Sequence, residues 1–200
     1  MKFFRFVALL GFSLLLPILH SGCLIAAKKV LLLEVRPDGS GSGRVYYTDI
    51  SSLQEDEHDR TLEDYSRLID GWLNGTEFEE TYRGTINTKK RLFELGGALH
   101  GEALFEFDHY NDIGLYRHDE KGPWMYYAMR HTSNVEGFDT SNGSFGGDLM
   151  PVIFWPEETD TFRIVNSFDP GEAKVTSLVS LYRRIGVSGS VPERSTDDGN

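Results

Sequence analysis

His100, Glu102, Glu106 and Asp108 fall at alternate positions of "LHGEALFEFD", residues 99–108, broken only by the apolar Leu104, with His109 and Asp112 just beyond. Residues two apart on a strand share a face. Such a row can turn its oxygens towards a hard cation such as Ca2+, which takes about six to eight of them. It can equally be the solvated face of a half-buried sheet, where acidic side chains ordinarily lie, and that is the expected reading. The alternative is a hydrolase of envelope polymers that uses Glu102 paired with Glu106 or Asp108. That chemistry needs two carboxyl groups roughly 5–10 Å apart, set in a cleft with separated pKa values.

A second candidate is the stretch "SNVEGFDTSNGSFGGD", residues 133–148, expected as a long loop. Loops of this length are either functional or flexible. Phe138 and Phe145 among glycines form a candidate recognition surface, and Asp139, Asn142 and Asp148 could hold a cation. The EF-hand pattern does not fit, because the glycine falls one place early and Met150 stands where the bidentate Glu belongs. His118 beside Asp119 and Glu120 reads as a turn before it reads as a catalytic dyad. His109, His118 and His131 would bind zinc only if they met about 2 Å from one point. The aromatics of "PWMYYAM", residues 123–129, can stack on sugars, but they are also what fills a sheet core. There is no H-E-x-x-H, G-x-S-x-G, S-x-x-K or nucleotide fingerprint. The glycine-rich "PDGSGSG", residues 37–43, is followed by a strand pattern instead of a helix, so it is a turn and not a phosphate loop.

These residues need elements to position them. Residues 28–36 and 44–50 read as strands joined by that turn. Leu62, Tyr65, Leu68, Ile69, Trp72 and Leu73 recur at helical spacing over 61–73, with Thr61 as cap and Asn74-Gly75 as stop. Strands are expected over 78–86, around 91–95 and over 98–108. Hairpins are expected from 115–118 with 123–131, and from 150–155 with 161–166. Asp169 and Glu172 form a capping-box pattern before Val175, Leu178, Val179, Tyr182 and Ile185, so a helix ending at Gly186 is expected, with a strand as the alternative around 177–182. The pattern predicts an α+β fold, a mainly antiparallel β-sheet with about two packed helices in a single domain over 28–187. Residues 188–200 are too polar to order themselves.

The N-terminus has a different logic. Lys2 and Arg5 precede an apolar run from Phe6 to Leu19, and Ser21-Gly22 lead to Cys23, the one cysteine of the chain. A basic start, an apolar core and a small-residue site make a signal peptide over 1–22. The run Phe3–Leu19 is at the short edge of the roughly 17–25 residues that span a bilayer. The segment resembles the lipobox of bacterial lipoproteins, Ser21 and Gly22 matching the two positions before the lipidated cysteine; the third, usually Leu, is His20. The resemblance implies lipid on Cys23 and a short tether over 23–27. Leu24, where Asp often marks inner-membrane retention, implies the outer membrane if the cell has one. Cleavage after Ala27, giving a soluble secreted ligand-binding protein, is the alternative.

Removing residues 1–22 takes away two of the 20 basic side chains and none of the 31 acidic ones, so 178 residues carry a net −13. That charge repels polyanions and excludes nucleic acid as a partner. The expectation is a non-enzymatic, lipid-anchored envelope module that binds or supports an envelope protein or glycan, with no cofactor beyond the lipid.

Overall fold

The computed structural model describes residues 23–54, 58–119, 121–130 and 136–187. The expected signal peptide (1–22) and tail (188–200) lie outside them, as do Glu120, His131 and residues 133–135.

Gly39, at φ +87°, makes the turn that its position beside Asp38 predicts. It joins β1 (Cys23–Val35) to β2 (Gly41–Gln54), paired antiparallel from Cys23↔Leu53 to Val35↔Gly41. β1 begins at Cys23 itself, so residues 24–27 are strand and not the expected tether. On the inner face Gly41 and Gly43 lie under the rings of Phe107 and Phe105, where an added Cβ would fall 2.2 Å from a ring carbon. Those two glycines let aromatic rings pack on bare backbone.

The helix expected over 61–73 forms as α1 (Thr61–Arg67), continued by a π-helical stretch at Leu68–Leu73. Arg60, and not Thr61, stands at its N-cap and makes no side-chain cap bond; one residue earlier, Asp59 Oδ1 accepts from the Thr61 N–H at 3.0 Å. The strand expected over 78–86 is corrected. α2 (Glu77–Thr81) takes its first half, with Glu77, Glu79 and Glu80 in the first turn, where a helix N-terminus favours acids. Phe78 and Tyr82, four apart, stack at 4.7 Å. That spacing was helical, not alternating.

β3 (Ile86–Leu95) and β4 (Ala98–Phe107) form a hairpin, and Asn87 at φ +52° marks a bulge where the register shifts. β5 (Trp124–Tyr127) keeps only one bridge, Tyr116↔Met125, of the hairpin expected there. The stretch expected as a loop holds β6 (Glu136–Ser141) and β7 (Ser144–Phe145). β8 (Val152–Trp155) and β9 (Thr161–Phe168) do not pair as expected; the acidic turn between them carries the chain from one sheet to the other. The expected long C-terminal helix divides into β10 (Lys174–Ser177) and α3 (Val179–Ile185). Asp169 Oδ1 accepts from the Gly171 N–H at 3.0 Å, which makes a tight turn where a helix start was expected.

The strands build a large sheet in the order β3-β4-β2-β1-β9-β6 and a small one in the order β5-β8-β7, with every pair antiparallel. β4 pairs with residues 41–47 of β2, and β10 takes residues 51–54. One face of the large sheet packs Leu33, Val45, Ala103, Phe105 and Phe162 against Trp124, Tyr126, Ile153 and Trp155 of the small sheet. Ile50, Leu92 and Leu99 pack on Tyr65, Leu68, Ile69, Leu178 and Leu181 of the helices. The fold is α+β, a mainly antiparallel sheet with short helices on one side.

Candidate functional site

Among the described residues the helices and the small sheet lie on one face of the large sheet, and its exposed side chains lie on the other. Its outward positions line up across the strands. Glu34, Ser42 and Glu106 form one row, and Leu32, Arg44, Leu104 and Lys89 the next. Val30, Tyr46, Glu102 and Arg91 form the third. The first two rows and Asn87 line an open groove of about 860 Å³. Its floor is apolar at Leu32 and Leu104, and its walls balance Arg44 and Lys89 against Glu34 and Glu106. These four charges cancel locally, within a chain of net −11.

The acidic row of β4 does share a face, but its members have separate partners. The Glu102 side chain is 7 % exposed, with Oε2 2.5 Å from Arg91 Nε and Oε1 3.3 Å from Arg44 Nε. Both carboxylate oxygens are therefore taken by guanidinium groups on the flanking strands. Arg91 also lies 4.8 Å over the Phe93 ring. His100 is buried beneath Tyr46 and Phe93, with ring centroids 5.6 and 5.8 Å away. Its Nε2 donates to Leu95 O at 3.2 Å, a carbonyl that can only accept, leaving Nδ1 to the Tyr46 hydroxyl at 2.9 Å. Glu106 is exposed and accepts from Asn87 Nδ2 at 2.6 Å. Asp108 is exposed beyond the end of the strand. Among the described residues no three of His, Cys, Asp and Glu come together as ligands for one ion. Glu34 and Glu106 face each other across Ser42, two strand spacings or roughly 10 Å apart at the backbone. Both line the open groove.

The second candidate set also divides. Phe138 and Phe145 stack at 4.4 Å, joining the two sheets. Asp139 pairs with Lys28 at 3.1 Å. Asn142 is a structural clamp: Oδ1 accepts from Trp155 Nε1 (2.7 Å) and the Arg163 N–H (2.8 Å), and Nδ2 donates to Thr161 O at 2.9 Å. Asp148 is exposed in the turn after β7. In the aromatic segment Trp124, Tyr126 and Ala128 are buried and Tyr127 is half exposed, so most of it fills the core.

Two features escaped sequence reasoning. The groove is one; its signal was Leu104, the apolar interruption of the polar side of β4. The other is an ion pair inside the protein, Lys29 Nζ to Glu136 Oε2, with both side chains nearly buried. The pair lies among phenols. Burial raises the Tyr47, Tyr82 and Tyr126 hydroxyls well above the ordinary tyrosine range, and the Glu136 charge adds to this at Tyr47 and Tyr82. Asp64 is buried at the start of the helical segment, and its carboxyl accepts a hydrogen bond from Ser52 Oγ. Desolvation lifts its pKa above the usual carboxylate value despite that bond.

No protein-family model, curated protein or solved structure matches this chain. Among the described residues no helix is long and apolar enough to cross a membrane.

Proposed function

We propose that this chain is a lipid-anchored module of the bacterial cell envelope, held through Cys23, whose open sheet face binds an envelope protein or glycan. The observation that carries the reading is the bare face of the large sheet, with a charge-balanced groove over Leu32 and Leu104. Side chains of that kind, left uncovered in rows, suit an extended partner laid along the strands. The Ser21-Gly22-Cys23 pattern supplies the anchoring half of the proposal, and Leu24 favours the outer membrane where there is one.

The two halves have separate tests. Cys23→Ala moves the protein from the membrane fraction to the soluble one and removes the lipid mass from its N-terminal peptide. An unmodified Cys23 in wild-type protein from its host ends the anchoring reading. For the face, a photoreactive residue at position 104 gives a discrete adduct in intact envelopes, and Arg44→Glu abolishes it. A groove that yields no adduct from positions 32, 89 and 104 is not a binding surface.

A further inference from the structure

We infer that nothing flexible separates the anchor from the body: the strand that carries the lipid also floors the groove, and it holds the groove within about 30 Å of the anchored residue. The inference rests on the anchoring at Cys23 proposed above and adds where that anchor places the binding face.

A flexible tether gives an anchored body reach, and ten residues of it would allow roughly 17 Å. Residues 24–27 are instead part of the sheet. Cys23 pairs with Leu53, Leu24 with Ser52, Ile25 with Ser51 and Ala26 with Ile50. This stretch of β2 is held on its other edge as well, where β10 pairs Val175 with Leu53, Thr176 with Ser52 and Ser177 with Ser51. Residues 23–25 therefore lie against an interior strand. Ile25 and Ala26 are 7 % and 6 % exposed. Ala26 belongs to the apolar cluster of Ile50, Leu68, Ile69 and Leu178, and Leu24 packs against that cluster. Ser52, opposite Leu24, is tied through its hydroxyl to Asp64 in α1. Peeling the stretch away to make a tether would return Leu24, Ile25 and Ala26 to water and break the pairing with β2, so it stays in place. Cleavage after Ala27 would take the same side chains from the folded body.

From there β1 runs on to the groove. Its pairing with β2 keeps one register from Cys23↔Leu53 to Val35↔Gly41, and Leu32 stands nine residues from Cys23. At about 3.3 Å per residue the span is roughly 30 Å at full extension, and twist or bending only shortens it. The bound is set along one strand, so it holds whichever way the body leans on the membrane. Arg44 pairs with Leu32 and Leu104 with Arg44, so the rest of the floor follows within two strand spacings. A partner in the groove must come that close to the lipid surface, and a component that stays further out is never met.

The test uses the full chain, purified from its host and placed in vesicles of zwitterionic lipid. The amides of 24–27 that are bonded to β2 should exchange with solvent at least about 100-fold more slowly than in a free chain. Exchange of the whole stretch at the free-chain rate overturns the inference. A donor dye on Leu104→Cys, with an acceptor on the lipid headgroups, reads the height of the groove. Inserting about twenty Gly and Ser residues between Cys23 and Leu24 should lower the energy transfer, because such a segment adds roughly 25 Å of reach. Equal transfer from the two chains also overturns it. The mass of the Cys23 peptide from the same samples reports the lipid separately. A lipidated Cys23 beside a freely exchanging 24–27 strikes the missing tether alone. An unmodified Cys23 beside a protected stretch strikes the anchoring, and the placement of the groove falls with it.

Discussion

Replacing Lys29 with Met removes one partner of an ion pair whose side chains are only 10 % and 13 % exposed. Met matches the volume of the Lys stem, so the change is chiefly electrostatic. The Glu136 carboxylate is left in the protein without its ammonium, among the Tyr47 and Tyr82 phenols, whose ionisation its charge already opposes. Breaking a buried pair from one side costs about 3–5 kcal/mol. In a domain of this size each kcal/mol is worth about 2–4 °C, so the midpoint should fall by roughly 6–20 °C. The double variant separates this electrostatic deficit from lost packing. Thermal melts of Lys29→Met with Glu136→Leu should recover most of the loss, since apolar replacements of buried pairs are neutral or better. A single variant within 1 kcal/mol of wild type, or a double variant as unstable as the single, refutes the reasoning.

Three other outcomes are expected. Asp64, with its pKa raised by burial, contributes stability that is complete below the ordinary Asp value and lost as pH rises through the elevated one. Asp64→Asn should therefore be more stable than wild type at neutral pH and should flatten that part of the pH–stability profile in urea titrations. Gly43→Ala would bring a methyl to 2.2 Å from the Phe105 ring and 2.9 Å from Leu33 Cδ2, a clash expected to cost about 1–3 kcal/mol in denaturant unfolding. Thr85 Oγ1 is buried without a hydrogen-bond partner among the described residues. Thr85→Val should raise the melting temperature by a few degrees, because it removes a polar atom whose desolvation costs roughly 1–3 kcal/mol.

Strong local signals in the sequence carried over into the fold. The Asp38-Gly39 turn, the alternation of β4 and the apolar spacing over 61–73 all appear where their periodicity puts them. Over 78–86, where a strand was expected, Phe78 and Tyr82 stand at i, i+4 beside three acids, which is the spacing of a short helix. The hairpin of β8 with β9 failed for a different reason. Trp155 and Phe162 both turn inward, 5.2 Å apart, one from each sheet, and nothing in a linear pattern says that a chain changes sheets at a turn. The stretch after Ser133 hid two strands because Ser and Gly are weak strand formers, and what holds them is tertiary: Asn142 clamping β9 and Trp155. Of the candidate site, the shared face of His100, Glu102 and Glu106 was legible from period two. The guanidinium partners of Glu102 and the floor of the groove depend on which strand neighbours which, and one strand's sequence does not contain that.

An outermost strand is ordinarily the first part of a sheet to fray, and β3 has β4 as its one neighbour in the sheet. Here it is fastened from both sides. Arg91 grips Glu102 above the sheet. Below it, Lys90 Nζ reaches Gly75 O at 2.6 Å and Glu79 at 3.0 Å. From α3, Tyr182 holds Leu92 O at 3.2 Å, and Arg183 pairs with Glu94. Detaching the strand also means loosening the helices it is tied to, so the β3 amides bonded to β4 should exchange more slowly than those of an unfastened edge. Fastening of this kind, with Lys89, Lys90, Arg91 and Glu94 along the strand, discourages a foreign strand from adding to the rim.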